Sequence, residues 1–356
     1  MKITFIGLTI SSSWGNGHAT TYRGLLEELV KLGHEVYFLE HDMPYYKLER
    51  DFTGDQPYQL HLYSSLDELK SHHHSLVRDS DLVIVGSYVH QGPVVIDWVL
   101  ETATNIKAFY DIDTPVTLEK LQQGDFEYLR SDQISKFDFY LSFSGGRALT
   151  ILEHNYDAKK ALPLYCSVDP EIYRPLSQKK QWLGGYLGTY SADRQANLDF
   201  LLINPAKIMS SESFVIAGPG FPEREQWPEN IQWISHLSPD QHAEFYSRQT
   251  FTVNVTRKAM RDLGHSPSIR LFEAAACGIP VISDYWEGLS SFFEIGKEIL
   301  VCESTLQVVQ LLKLLSAEDL AEIGLAARRR VLKEHCSSHR ATQLVQYCRQ
   351  YRMTFI

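Results

Sequence analysis

The stretch from Arg257 to Asp284, RKAMRDLGHSPSIRLFEAAACGIPVISD, decides the predicted fold. Its Ser266-Pro267-Ser268 segment is typical of a helix start, because serine accepts from free helix amides and proline tolerates the first helical turn. An apolar helix follows and ends at Gly278, and residues 279–282 then predict a buried parallel strand. Loop, helix and buried strand in this order indicate an α/β domain.

The predicted helix carries two charges, Arg270 and Glu273. A helix N-terminus presents free N–H groups and positive dipole character, so the loop before it suits a phosphate or a diphosphate. Glu273, about one turn further in, would accept hydrogen bonds from two neighbouring ribose hydroxyls. The alternative is an ordinary surface ion pair between residues three apart, and the spacing alone leaves both interpretations open.

The amino-acid composition limits the types of protein to which this chain can belong. The 356-residue chain is 44% apolar and 22% charged, which is typical of a soluble protein with two domains. A net charge of −10 argues against nucleic acid as the main partner. Five cysteines without a CxxC pair fit a reducing cytosol. With no segment typical of a signal peptide or a membrane span, we expect a cytoplasmic protein with at most peripheral membrane contact.

Strands and helices alternate through both halves of the chain, which predicts two open, doubly wound, Rossmann-like sheets facing each other across a cleft. The proline-rich segment 166–180 lacks a helical period and reads as a linker. It separates a domain at 1–165 from a second domain at 181–335. A final helix is expected at 336–356, and it could pack back on the first domain.

Ligands of such sheets bind beyond the carboxyl ends of the strands, which directs attention to three residues of the first domain. Asp111 and Asp113 follow its fifth strand and could act as a general base or hold substrate hydroxyls. The alternative for Asp113 is helix capping ahead of Pro115. His18, at the mouth of the first helix, is either an acid, base or phosphate donor or a structural histidine.

Small and polar residues follow other strands and complete the candidate loops. In the first domain these are Gly15, Asn16, Gly17 and His90. In the second domain they are Gly188, Thr189 and the nearby Arg194. His72-His73-His74 does not predict a metal site, because consecutive helical residues point to different faces. We therefore expect no bound metal and no cofactor.

The segment RLFEAAACGIPVISD, followed by WEGL and GKEILV, resembles the nucleotide-sugar region of GT-B glycosyltransferases of the group 1, or family 4-like, type. Six segments together resemble the spore-maturation CgeB-like glycosyltransferases more closely and cover most of the chain in order. They are GNGHATTYRGLL, FYDIDTPVTLEKL, LYCSVDPEIYRP, YLGTYSADRQ, NVTRKAM and HSPSIRLFEAAACG.

This resemblance implies a metal-independent transfer of sugar from a nucleoside-diphosphate sugar, held by the second domain, to a hydroxyl acceptor toward the first. It implies that Glu273 binds the donor ribose and that basic side chains neutralise the diphosphate. The donor-binding candidates are Gly188, Thr189, Arg194, Arg257, Lys258, His265, Ser266, Ser268, Arg270 and Glu273. Asp111, Asp113 and His18 are the catalytic candidates, and Gly15, Asn16, Gly17 and His90 are candidates for an acceptor or phosphate loop.

One position departs from the family 4 pattern, which has two glutamates with seven residues between them. The earlier position is His265 here, and histidine does not accept from two sugar hydroxyls as a carboxylate does. The donor sugar and the choice between retaining and inverting transfer therefore stay open. A GT-B-fold epimerase and a non-catalytic sugar-binding protein remain as alternative functions.

Overall fold

A computed structural model describes residues 1–13, 17–48, 50–52, 54–222 and 226–353. The chain divides into two compact units. The first unit contains Met1–Ser167 and the C-terminal segment that begins at Ser337, and the second unit is Val168–Cys336. Residues 168–180, predicted to belong to a linker, are thus part of the second unit.

The first unit is a parallel sheet with helices between its strands, as the alternating pattern predicted. Among its described residues the sheet has seven strands in the order β3-β2-β1-β4-β5-β6-β7. Its strands are β1 Lys2–Gly7, β2 Glu35–His41, β3 Gln59–Tyr63, β4 Leu82–Gly86, β5 Ile106–Asp111, β6 Phe139–Ser142 and β7 Ala161–Pro163. Its helices are α1 His18–Lys31, α2 Pro44–Lys47, α3 Leu66–Asp79, α4 Gly92–Thr102, α5 Thr114–Gln123, α6 Ser131–Ile134 and α7 Arg147–Asn155.

The central strands are mostly buried, because helices cover both faces of a parallel sheet. Every described residue of β4 is buried, and β1 pairs in parallel with both β2 and β4. This pairing brings the carboxyl ends of β1, β4 and β5 to one edge of the sheet, and the loops that follow them carry the candidate acceptor-side residues.

The second unit has the same construction. Its sheet has the strand order β10-β9-β8-β11-β12-β13 among the described residues. The strands are β8 Trp182–Leu187, β9 Phe214–Ala217, β10 Ile231–Ile234, β11 Gln249–Asn254, β12 Val281–Ser283 and β13 Leu300–Val301. The helices are α8 Ala192–Leu198, α9 Asn204–Ile208, α10 Pro239–Ser247, α11 Lys258–Leu263, α12 Ile269–Ala276, α13 Thr305–Leu314 and α14 Ala317–Glu334, with a π-helical turn at Asp199–Ile203 and a 3-10 turn at Leu289–Ser291.

Helix α15, Ser337–Met353, returns to the first unit and packs against α1. The side chain of Ser337 lies where a Cβ on Gly24 would stand, so the glycine allows the two helices to approach closely. Arg340 on α15 is buried and donates from Nε to the Tyr165 carbonyl at 3.1 Å. These contacts hold α15 against the first unit.

Within the described part of the chain, we find no helix with the length and apolar character that crossing a membrane requires.

Candidate active site

Glu273 lies on α12 in a pocket of aromatic hydroxyls and imidazole within the second unit. The residue is only 5% exposed. The Tyr246 hydroxyl donates to its Oε2 at 3.5 Å, and Nδ1 of His242 lies 3.9 Å from the same oxygen. Tyr173 also bonds to this carboxylate, and burial, followed by the charge of Glu273, holds the pKa of Tyr173 well above its ordinary value. A nearly buried carboxylate with such long contacts is a strong acceptor for ligand hydroxyls.

Arg270, one turn before Glu273, is directed to the end of strand β8 and not toward a surface partner. Its Nε donates to the Leu187 carbonyl, and its Nη1 donates to Asn254 Oδ1 at 3.3 Å. The residue is 9% exposed. The surface ion pair considered as the alternative for Arg270 and Glu273 is therefore wrong, because both side chains lie inside the fold.

Gly188 makes room for this arginine. A Cβ at position 188 would lie 2.5 Å from Arg270 Nη2 and 2.6 Å from the Tyr186 hydroxyl, both inside contact distance. The loop after β8 and helix α12 thus meet around one guanidinium, which is a close backbone approach that only glycine permits here.

Arg194 places a second guanidinium beside the same loop. Its Nη2 donates to the Thr189 carbonyl at 2.8 Å. Its buried Nε has no hydrogen-bond partner within the described ranges. Burial lowers the pKa of Arg194, and the positive charges of Arg270 and Arg257 lower it further. The carboxylate of Asp193 acts in the opposite direction, but three cations with one carboxylate still leave a positive charge that favours an anionic ligand.

The N-terminus of α12 has no capping hydrogen bond from the side chain of its N-cap residue, Ser268. Ser268 occupies the N-cap position but makes no side-chain capping hydrogen bond, and the Ser266 hydroxyl donates to the Gly264 carbonyl at 2.9 Å. The predicted boundary of the helix is confirmed, whereas its N-cap residue, Ser268, does not cap it through the side chain. The first amides of this eight-residue helix are therefore not used by the Ser268 side chain.

Two donor-binding candidates lie outside the guanidinium group. The side chain of Lys258 is 67% exposed and pairs with Asp262, one turn along α11. His265 has a positive φ of 47° and donates its backbone N–H to the Glu287 carbonyl at 2.6 Å, with its ring against Gly288. The structure thus brings Arg270 and Arg194 to the loop that contains Gly188, and directs the Lys258 side chain elsewhere.

Sequence reasoning missed Asp284, which organises the loops around this site. The residue is 3% exposed and accepts from the Thr256 hydroxyl at 2.8 Å and from Asn197 Nδ2 at 2.7 Å. Arg261 Nη1 lies 3.3 Å from it. A lone acid that ends the apolar strand IPVIS was the available signal. Nothing in the local pattern identified Tyr173, His242 and Tyr246 as neighbours of Glu273.

In the first unit, the structure places Asp111 at the end of β5 with no exposed surface. Tyr140 donates to its Oδ2 at 2.5 Å, and Thr117 donates to its Oδ1 at 2.7 Å. Burial raises the pKa of Asp111 to about 6. In this geometry Asp111, predicted as a candidate base, is a buried acceptor for internal hydroxyls and has no surface through which an acceptor could reach it.

Asp113 and His18 do reach the partly exposed edge of this sheet, where both contact Tyr88. The Tyr88 hydroxyl donates to Asp113 Oδ2 at 3.0 Å. The His18 ring stacks on Tyr88 with 6.2 Å between ring centroids. Of the predicted catalytic residues, these two are therefore brought together through a tyrosine that sequence reasoning did not identify.

The remaining loop candidates have separate positions. Gly15 and Asn16 lie outside the described residues, and Gly17 is the N-cap of α1. His90 is exposed and stacks on His41, with 4.6 Å between ring centroids.

Glu40, the next-to-last residue of β2, shapes the loop after β1. It is fully buried and accepts from the Thr9 hydroxyl at 2.8 Å and from Ile10 N at 2.7 Å. In a dinucleotide-binding fold, an acid at this position binds a ribose. Here Glu40 instead accepts a hydrogen bond from the protein's own backbone.

The described part of the chain contains no group of three or more His, Cys, Asp or Glu residues placed to hold a metal ion. All three consecutive histidines lie in α3, and Nδ1 of His72 is 3.9 Å from the Glu68 carboxylate. His73 packs edge-on against His61.

A family model matches part of the chain. Residues 195–346 match the family model described as glycosyl transferase-like. This range contains α12 with Arg270 and Glu273, as well as the strands on either side of it. No curated protein sequence matches the chain significantly.

Solved structures resemble the chain over nearly its whole length. A sucrose-phosphate synthase from Thermosynechococcus elongatus is 15% identical, with a TM-score of 0.71 over 99% of this chain and 100% of that one. Anabaena HepE, solved with UDP and glucose, is 11% identical, with a TM-score of 0.68 over 98% and 100%. An α-glucosyltransferase solved with UDP is 13% identical, with a TM-score of 0.69 over 98% and 99%.

At this level of identity these neighbours show the fold, and they confirm the prediction of two Rossmann-like domains of the GT-B type. Residues 195–346 thus match the glycosyl transferase-like family model within a chain of GT-B fold.

Proposed function

We propose that this protein transfers a hexose from a UDP-hexose to a hydroxyl acceptor. One observation carries the proposal: the nearly buried Glu273 carboxylate lies one helical turn from Arg270, which belongs to a group of guanidiniums. A carboxylate for vicinal hydroxyls beside cations for a diphosphate matches the two polar parts of a nucleoside-diphosphate sugar. Uridine is proposed because HepE and the α-glucosyltransferase were solved with UDP.

In this proposal Glu273 accepts from the 2′- and 3′-hydroxyls of the ribose. Arg270, Arg194 and Arg257 bind the diphosphate, and the amides that begin α12 contribute further donors. During transfer, the bond from sugar C1 to the phosphate oxygen breaks and its electrons stay on the leaving UDP. The guanidiniums stabilise that developing charge, which is the work that a metal does in other enzymes, so we propose metal-independent transfer.

The acceptor side belongs to the first unit. As the acceptor oxygen bonds to C1, it loses a proton. In inverting transfer Asp113 or His18 receives this proton, and in retaining transfer the leaving phosphate receives it while these side chains orient the acceptor. Asp113 is the stronger candidate for contact with the acceptor hydroxyl, because it is partly exposed whereas Asp111 is not.

Three finer assignments belong to the same proposal. The six segments quoted above support a place among the CgeB-like glycosyltransferases. The net charge of −10 supports an acceptor other than nucleic acid, although one α-glucosyltransferase of similar fold was solved with UDP and a 13-mer DNA. The described cysteines are all free and buried, which supports a cytoplasmic location.

A thermal-shift and calorimetry panel of UDP-, GDP-, TDP- and ADP-sugars tests the proposal, since a ligand of the folded state raises Tm by mass action. We expect UDP-glucose or another UDP-hexose to give the largest shift, and UDP release to follow when a hydroxyl compound is added. EDTA should leave this release unchanged. A panel in which no nucleotide sugar binds would contradict the proposed function.

A further inference from the structure

Tyr88, in the loop between β4 and α4, has an unusual backbone conformation. Its φ is +63°, in the left-handed region that side chains with a Cβ rarely adopt. Bulky residues persist in that region only where surrounding contacts hold them, and such residues cluster at functional sites. The contacts of its hydroxyl and its ring indicate what this conformation achieves.

The hydroxyl of Tyr88 donates to Asp113 Oδ2 at 3.0 Å. Burial raises the pKa of Tyr88, and the negative charge of Asp113 raises it further, so this hydroxyl remains a donor. Asp113 is the N-cap residue of α5, yet its side chain makes no capping hydrogen bond. A carboxylate at this position usually turns back to the helix amides. Here it is held toward Tyr88 instead.

The main chain of Asp113 is fixed from the other side by Asp111. The Asp113 N–H donates to Asp111 Oδ1 at 3.2 Å, and Thr117 donates to the same oxygen at 2.7 Å. Thr117 also bonds to the Tyr128 hydroxyl at 2.8 Å, and the Tyr128 ring lies 4.6 Å from that of Tyr88. Asp111 is thus linked to Asp113 directly by a hydrogen bond. It is also linked to Tyr88 through Thr117 and the ring of Tyr128.

We propose that Tyr88 is a positioning residue for the acceptor, which acts by orienting the carboxylate of Asp113 toward the acceptor hydroxyl. This inference rests on the proposed function and adds a residue to it. Tyr88 does not exchange a proton with substrate. It fixes the direction of the carboxylate, which accepts a hydrogen bond from the acceptor hydroxyl and, in inverting transfer, its proton.

A double-mutant cycle tests whether Tyr88 acts through Asp113. Tyr88→Phe, Asp113→Asn and the double variant are assayed for UDP release from UDP-glucose, with water and with a set of methyl glycosides as hydroxyl probes. Calorimetry with UDP-glucose runs in parallel. Tyr37→Phe is the matched control, because its hydroxyl also donates to a carboxylate of the first unit, that of Glu35.

We expect Asp113→Asn to lower kcat by about 100-fold or more in inverting transfer, as loss of a general base does, and by less in retaining transfer, where Asp113 only orients the acceptor. Tyr88→Phe should lower kcat by about tenfold, because misorientation of a reacting group costs less than its removal. Donor affinity should stay unchanged in both variants. The double variant should be no slower than Asp113→Asn, since Tyr88 has no separate route of action. Tyr37→Phe should retain wild-type rates.

A second variant, Tyr88→Gly, separates orientation from backbone strain. Glycine accepts the positive φ but lacks the hydroxyl, so turnover should fall although the backbone is relaxed. Wild-type rates in Tyr88→Phe, or additive losses in the double variant, overturn the role of Tyr88 and leave the proposed function standing. A wild-type chain that neither binds UDP-glucose nor releases UDP overturns both.

Discussion

The guanidinium of Arg270 lies over the ring of Tyr186, with 4.8 Å between Cζ and the ring centroid. Arg270 comes from α12 and Tyr186 from β8, so this contact fixes the helix that carries Glu273 to the strand that precedes Gly188. A cation–π contact and a hydrogen bond to the Leu187 carbonyl act on the same side chain. The side chains proposed to bind the diphosphate and the ribose, Arg270 and Glu273, are thereby held in one rigid arrangement.

Glu273→Gln should weaken binding of UDP-glucose with little effect on the fold. Replacing the carboxylate by an amide removes charge-assisted hydrogen bonds, each worth about 1.5–3 kcal/mol, or about 10- to 100-fold in Kd. Calorimetry gives Kd directly. Glu303→Gln, which changes an exposed acid of the same unit, is the control. Equal affinity of Glu273→Gln and Glu303→Gln would remove Glu273 from the site.

Gly188→Ala should weaken donor binding by displacing Arg270. The new methyl group would lie 2.5 Å from Nη2, so the guanidinium must move away from the β8 end. We expect a loss of UDP affinity of about tenfold or more, since a bidentate anion contact depends on its geometry. Titration of the variant with UDP measures this loss, and the thermal midpoint checks folding. A crystal structure with Arg270 unmoved would refute the explanation.

The strands and helices of this protein could be predicted from the sequence because the patterns that indicate them are local. Apolar runs and a glycine with φ of 72° at position 278 mark the strands and the end of α12. The short strand Ala161–Pro163 escaped prediction, because three residues have no measurable period. The part of the site near Glu273 was predictable from one segment and its resemblance to a family.

The rest of the site depends on contacts between distant segments. Tyr173 and Glu273 are 100 positions apart in the chain, and no local pattern joins them. Asp111 and Asp113 look equivalent in sequence, and only burial separates an internal hydrogen-bond acceptor from an exposed carboxylate. The positive φ of Tyr88 likewise has no signature in residue type, because tyrosine disfavours it.

Arg194→Gln should reduce UDP affinity while leaving the empty protein equally stable or more stable. The native side chain brings a third cation toward Arg270 and Arg257, and its buried Nε has no partner in the described residues. Such features of an anion-binding site often lower the stability of the protein when the site is empty. Chemical denaturation with and without UDP measures both effects. Arg330→Gln is the control, because it breaks a surface ion pair with Glu334.

Asp111→Asn should change how stability depends on pH and should leave the donor site intact. Burial raises the pKa of Asp111 from 3.8 to about 6, so the folded state favours the protonated acid. Its contribution to stability is fully present below about pH 3.8 and is lost as pH rises through about 6. Asparagine preserves an acceptor for Thr117 and the Asp113 N–H, and it carries no charge that must be buried.

Relative to wild type, Asp111→Asn should therefore gain unfolding free energy between about pH 4 and pH 7, by up to about 3 kcal/mol. Urea denaturation at several pH values measures the difference. Asp55→Asn, at an exposed site in the same unit, serves as the control. A constant difference between Asp111→Asn and wild type across this range would mean that Asp111 does not titrate in it. Because Asp111 acts only through the main chain of Asp113, turnover should survive the substitution, whereas in inverting transfer Asp113→Asn should abolish most of it.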